Sequence, residues 1–211
     1  MAFPIKQIAP LLGSVSLRPF TEAELMFEVG DAMEGVWQLI YAILGRRTVE
    51  DTPTLGAQTQ AAYMRDAASM AYRYAFDGVL PGSRDADAEF LDLTAFTLTA
   101  RNAAELYGEV VPLCLEQTMA TAILRKRLDD ETIGEQFHVV VLEPDEVNFT
   151  LFEIAVLARM NEKSVRNATQ PTSKDRLMTI KVGNRTLIEP HEALRWLKGR
   201  RGFKSTCLSE D

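Results

Sequence analysis

Apolar residues recur every three or four positions in four segments of the first 130 residues, and this spacing predicts amphipathic helices. The first helix is predicted from about 21 to 45, because TEAE at 21–24 has the form of a capping box. The other three are predicted at about 55–76, 88–108 and 111–128. The third segment also contains an alternation of Thr94, Phe96 and Leu98 that is compatible with a strand, but its length favours a helix.

The ends of this N-terminal part are less regular. Arg125, Lys126 and Arg127 are predicted to lie in the last turn of the fourth helix, where cations interact favourably with the helix dipole. The β-branched residues at 137–144 predict a short strand, and EPDEV at 143–147 is predicted to be a linker. Residues 1–19 contain three prolines and are predicted to form an irregular arm.

Two short helices are predicted in close succession between residues 148 and 170. Thr150 can cap the first, and Asn161 can cap the second, which has the sequence EKSVRNA. Only a few residues separate them, which is the spacing of a helix-turn-helix motif. Val165 is the predicted inward anchor of the second helix, so its polar neighbours are expected to point outward.

A hairpin and a last helix follow. Gly183 and Asn184 lie between two runs of apolar and polar residues, a pattern that predicts a two-residue turn. The predicted cross-strand pairs are Ile180 with Leu187, Lys181 with Thr186, and Val182 with Arg185, and Ile180, Val182 and Leu187 share the face expected to cover the small core. Pro190 is expected to begin the last helix, which ends near Gly199.

Charge divides the chain at about the same place. Residues 1–146 hold 11 Lys and Arg against 23 Asp and Glu, whereas residues 147–211 hold 12 against 7. The formal net charge of the whole chain is −7, so the protein as a whole does not have the charge of a nucleic-acid binder. An acidic body with a basic C-terminal part indicates two modules with different partners, although two ordinary solvated surfaces would give the same counts.

The C-terminal segments resemble the winged helix-turn-helix of phage excisionases and related small DNA-binding domains. The resemblance covers about residues 147–202. It rests on EIAVLARM in the first helix, on a short second helix with a valine and basic residues, and on KVGNRTLIEPHEALRWL as wing and last helix. The polar loop ATQPTSKDR at 168–176 is longer than in that family. We recognise no family resemblance in residues 1–146.

We therefore expect a mainly α protein of two domains. Residues 1–146 would form an acidic helical domain that mediates dimerisation, and residues 147–211 a basic winged helix-turn-helix domain with a tail. The expected DNA-binding residues carry hydrogen-bond donors that suit phosphates or base edges. They are Lys163, Ser164, Arg166 and Asn167 in the second helix, Lys181, Arg185 and Thr186 in the wing, and Arg200, Arg201 and Lys204 in the tail. The alternative for each group is a solvated surface, and for the tail it is disorder.

The sequence predicts no catalytic site, metal site or cofactor. His138 and His191 are far apart and lack nearby ligand patterns, and Cys114 and Cys207 do not have metal-ligand spacing. No phosphate-binding glycine loop or nucleophile elbow is present. The longest apolar run, GVWQLIYAILG, is too short to cross a bilayer, and the N-terminus lacks the features of a signal peptide. We expect a cytoplasmic protein that is not an enzyme.

Two functions from different classes fit these observations. The first is a sequence-specific protein that binds double-stranded DNA as a homodimer, either as a transcriptional regulator or as a recombination accessory factor of a mobile element. The second is a protein-interaction module, such as an antitoxin-like neutraliser or an assembly adaptor, whose acidic helical domain binds a basic protein partner.

Overall fold

The structure is a computed structural model that describes residues 17–45, 57–82, 85–108, 110–136 and 147–207, with only the backbone described at 57–59. Over these ranges the chain is mainly helical, as the sequence predicts, and it contains a small three-stranded antiparallel sheet. The strand predicted at 137–144 and most of the N-terminal arm lie outside the described residues, as does His138. Within the described ranges, no helix combines the length and hydrophobicity needed to cross a bilayer.

The four predicted N-terminal helices are confirmed. They are α1 (Glu22–Leu44), α2 (Ala57–Tyr72), α3 (Ala86–Tyr107) and α4 (Leu113–Thr132), and a π-helical turn (Arg73–Asp77) extends α2. The capping box at the start of α1 is present, since the backbone N–H of Thr21 donates to the Glu24 carboxylate at 2.7 Å and the Glu24 N–H donates to Thr21 Oγ1 at 3.2 Å. These local signals set the start of α1 because they depend on neighbouring residues alone.

The first core lies among these four helices. Small residues of α2, including the buried Ala67, Ala68 and Ala71, let α1 pack closely against it. The start of α4 is held by Glu28 of α1, whose carboxylate accepts hydrogen bonds from the backbone N–H groups of Cys114 at 3.1 Å and Leu115 at 2.7 Å. A side chain from another helix thus satisfies donors that the first turn of α4 leaves without intrahelical partners.

Helix α4 passes through the middle of the molecule and contributes to a second core. Leu124 and Leu128 belong to that core together with residues of the C-terminal module. The prediction that Arg125, Lys126 and Arg127 form the last turn of this helix is wrong. The helix continues to Thr132, and all three side chains are buried at 1%, 4% and 6% exposure. The sequence pattern gave no indication that a second set of helices covers this end of α4.

The C-terminal elements follow in the predicted order, with one strand added. They are β1 (Phe149–Thr150), α5 (Leu151–Ala158), α6 (Glu162–Ala168), β2 (Ile180–Val182), β3 (Arg185–Ile188) and α7 (Pro190–Leu197). The strands are antiparallel in the order β1-β3-β2, and the three predicted β2–β3 pairs are confirmed. Strand β1 pairs Phe149 with Ile188 and Thr150 with Leu187. Two residues are too few for an alternating pattern, so the sequence could not predict it.

Candidate functional site

Helices α5 and α6 are joined by only three residues, 159–161. Thr150 forms a capping box with Glu153 at the start of α5, and Asn161 Oδ1 accepts the backbone N–H of Lys163 at 2.8 Å at the start of α6, so both predicted caps are confirmed. Arg159 ends α5 with a φ of 53°, a left-handed conformation that costs a non-glycine residue about 1 kcal/mol. This conformation lets the chain reverse within three residues.

Val165 fixes the rotation of α6 about its own axis. Its side chain is fully buried in the second core, as predicted. Lys163, Ser164, Arg166 and Asn167 are all exposed. The Arg166 guanidinium donates to the Glu162 carboxylate one turn earlier at 2.7 Å, and both side chains remain accessible to solvent. Helix α6 therefore presents four side chains with hydrogen-bond donors, and one of them is paired with an acidic neighbour.

The β2–β3 hairpin extends from the same small core. Gly183 has a φ of 59°, the sign that a type II′ turn needs at its first central residue. Lys181 Nζ donates to Thr186 Oγ1 across the strands at 2.6 Å, and Lys181 and Arg185 are both exposed. The predicted apolar face of the hairpin is buried at only one end. Leu187 is buried, whereas Val182, at the turn end of the hairpin, is 51% exposed.

The long loop between α6 and β2 is held by Asp175. The carboxylate of Asp175 accepts a hydrogen bond from Arg195 Nη1 at 3.0 Å and another from Arg200, while its backbone carbonyl accepts one from Trp196 Nε1 at 3.2 Å. The guanidinium of Arg200 also lies over the Trp196 ring at 4.0 Å. Arg200, a predicted DNA-binding residue, thus has partners within the module. The role of Asp175 could not be predicted from the sequence, since its partners lie 20 or more residues away.

The start of the hairpin is fixed by Glu192 of α7. Its carboxylate accepts the backbone N–H of Met178 at 2.7 Å and hydrogen bonds from the Arg195 guanidinium at 2.7 and 2.8 Å. The bonds from Arg195 are the main cause that lowers the pKa of Glu192 below its ordinary value. An ionised carboxylate therefore links the hairpin to α7.

The C-terminal tail packs on the N-terminal helices. The buried Phe203 belongs to the second core, Lys204 Nζ pairs with Asp77 of the π-helical turn, and the backbone N–H of Cys207 donates to the Gly78 carbonyl at 3.0 Å. Of the three predicted tail residues, Arg201 is exposed and forms no ion pair with any described residue, whereas Arg200 and Lys204 do. The described tail residues up to 207 therefore contact both the second core and the N-terminal helices.

A buried polar network joins this tail to α4. Arg125 donates to the carbonyls of Ala75 at 3.0 Å and Lys204 at 2.8 Å and to Thr206 Oγ1 at 3.0 Å. Asp129 accepts hydrogen bonds from the Tyr74 hydroxyl at 2.9 Å and the Thr206 hydroxyl at 2.7 Å. Burial raises the pKa of the Asp129 carboxyl and lowers that of Arg125, because both charges lose hydration. The network links α2, α4 and the tail.

The other reactive side chains do not converge. No group of three or more metal-ligating side chains occurs among the described residues. His191 is exposed, Cys114 is buried, and Cys207 is exposed. The candidate site is therefore the exposed surface of α6 and the β2–β3 hairpin.

Comparison with protein-family models, with curated proteins and with solved structures finds no match to the chain.

Proposed function

We propose that the protein binds double-stranded DNA in a sequence-specific manner through residues 147–207, which act as a winged helix-turn-helix. Helix α6 is the recognition helix and the β2–β3 hairpin is the wing. The order of helix, short turn, helix, hairpin and helix supports this assignment.

The observation that carries the proposal is the orientation of α6. Val165 is fully buried, and the four donor-bearing residues around it are exposed. An Arg side chain can make two hydrogen bonds to guanine O6 and N7, and an Asn side chain can make two to adenine. Arg166 and Asn167 suit such base contacts, whereas Lys163 and Ser164 suit phosphates.

The wing supplies charge next to the same core. Lys181 and Arg185 are exposed at the end of a hairpin whose base is fixed by Glu192. Cations in this position suit the phosphate backbone, which positions a protein on DNA without reading its sequence. In the tail, Arg201 is the candidate for a further phosphate contact, because Arg200 and Lys204 already hold carboxylate partners.

The test is a titration of the full chain with duplex DNA over a range of salt concentrations. For about four phosphate contacts, affinity should fall about a hundredfold between about 50 and 200 mM salt, as counterions are released on binding. Replacing Lys163 and Arg166 with Ala should weaken binding and flatten this dependence. Replacing the exposed Arg65 and Arg73 of the N-terminal half is the matched control, since it removes the same charge. Absence of binding even at low salt contradicts the proposal.

A homodimer belongs to the proposed function. One recognition helix of seven residues contacts few base pairs, so useful specificity needs two half-sites. We expect residues 1–146 to mediate dimerisation, as a transcriptional regulator or a recombination accessory factor would require. Sedimentation with and without a selected duplex measures the stoichiometry of the protein. A strict monomer at micromolar concentration in both cases contradicts the proposed homodimer.

A further inference from the structure

A groove with a volume of about 800 Å³ crosses the N-terminal helices on a surface that the proposed DNA contact does not use. It is lined by the first half of α1, the last turns of α3 and the start of α4. Small residues line its floor, namely Ala32, Gly35, Ala100 and Ala104. Small side chains leave room for the side chains of another molecule.

Two large apolar side chains line the groove and face solvent. Phe27 of α1 is 72% exposed and Val110, just before α4, is 89% exposed. Leu106, near the end of α3, is 66% exposed. Isolated apolar side chains on a surface are ordinary, but a largely exposed phenylalanine beside an apolar groove is typical of a binding surface.

Carboxylates run along one edge of the groove. Glu24 lies three residues before Phe27 on α1, and Asp31 and Glu34 lie four and seven residues after it. At this spacing all four side chains share one face of the helix. Glu24 is engaged in the capping box, whereas Asp31 and Glu34 form no ion pair with any described residue. Arg18 is the cation in the lining, and it donates to Cys114 Sγ at 3.1 Å. The accessible charge of this edge is negative.

We propose that this groove binds an amphipathic, cationic helix of a protein partner. The apolar face of such a helix would cover Phe27 and Val110, and its Lys or Arg residues would lie along Asp31 and Glu34. The stripe from residue 24 to residue 34 is about 15 Å long, the length of about three helical turns. This inference does not depend on DNA binding.

A second copy of the chain is a poorer occupant of the groove. In a two-fold symmetric contact the same surface meets itself, so the acidic residues of both copies, including Asp31 and Glu34, would enter one interface. Like charges brought together in one interface oppose association. The charge of the edge therefore selects a basic partner over self-association through this groove.

The probe is a fluorescein-labelled 16-residue helix of Leu and Lys with one apolar face, titrated into the full chain without DNA. Saturable binding to one site is expected. Phe27→Ala and Val110→Ser should each weaken it, Phe27→Ala by about tenfold or more, because burying a phenylalanine favours binding by about that factor. Ile43→Ala, on an exposed residue of α1 outside the groove, is the control and should have little effect.

The charge part of the proposal has its own comparison. Asp31→Asn combined with Glu34→Gln should weaken the peptide severalfold at low salt and reduce the salt dependence of binding. Asp66→Asn combined with Glu131→Gln removes the same charge from exposed residues elsewhere, and it should leave peptide binding and its salt dependence unchanged. Equal binding of a sequence-scrambled peptide without an apolar face, or equal losses in the groove and control variants, overturns the proposal. So does self-association of the chain that Phe27→Ala abolishes, since a second copy would then occupy the groove.

Discussion

Arg166 and Glu162 lie one turn apart on the exposed side of α6, and their ion pair measures 2.7 Å. A solvent-exposed pair of this kind contributes about 0.3–0.5 kcal/mol to stability. Helix α6 therefore keeps its fold without the pair, and Arg166 can exchange Glu162 for a DNA base at little cost. The Glu162 carboxylate itself would face the DNA phosphates and oppose binding.

Glu162→Gln should raise the affinity of the full chain for duplex DNA by about two- to fivefold at low salt, because it removes a negative charge beside the contact surface. The gain should shrink as salt rises. The measurement is a fluorescence anisotropy titration, with Glu131→Gln of α4 as the control for net charge. Unchanged or weaker binding of Glu162→Gln would place α6 away from the DNA.

At the scale of elements, local signals predicted most of the C-terminal module. The caps at Thr150 and Asn161, the buried Val165 and the Gly183-Asn184 turn all depend on residues close in sequence, and each is confirmed. What the sequence could not show depends on distant partners. Strand β1 is defined by its pairing with β3. The loop before β2 is held by hydrogen bonds from Arg195 of α7 and Arg200, just after α7, to Asp175.

The wing should behave differently from the recognition helix. Lys181→Ala removes an exposed cation together with its hydrogen bond to Thr186, so the stability of the fold should change little. Affinity should fall on every DNA sequence alike, and the salt slope should decrease by about one unit, as for one lost phosphate contact. Lys198→Ala, at the end of α7, is the matched control. A loss restricted to one DNA sequence would make Lys181 a base contact instead.

At the scale of the whole molecule, α4 connects the acidic and basic parts. Its Leu124 and Leu128 pack in the C-terminal core, and Arg127 pairs with Glu153 of α5 at 2.9 Å. A fragment that begins at residue 147 would lack these contacts, so DNA binding is best measured on the full chain. The sequence predicted the helix but not this role, because three adjacent basic residues resemble a solvated helix end.

Arg125→Met tests this connection. It removes three hydrogen bonds and leaves Asp129 buried without its neighbouring cation, so it should destabilise the protein by about 3–5 kcal/mol. Urea denaturation followed by circular dichroism measures the loss, and Arg65→Met, on an exposed residue, should change stability by less than about 0.5 kcal/mol. A loss below about 1 kcal/mol for Arg125→Met would show that the tail and α4 are joined mainly by apolar contacts.

The central claim is that the exposed side of α6 contacts bases. The most direct test is a titration of wild type and Arg166→Ala against a duplex selected from a random library and against a scrambled duplex of the same composition. We expect Arg166→Ala to keep its fold and to lose about 1–3 kcal/mol of binding free energy on the selected site, with a much smaller loss on the scrambled one. Equal losses on both would contradict a base contact, and no loss on either would remove α6 from the DNA interface.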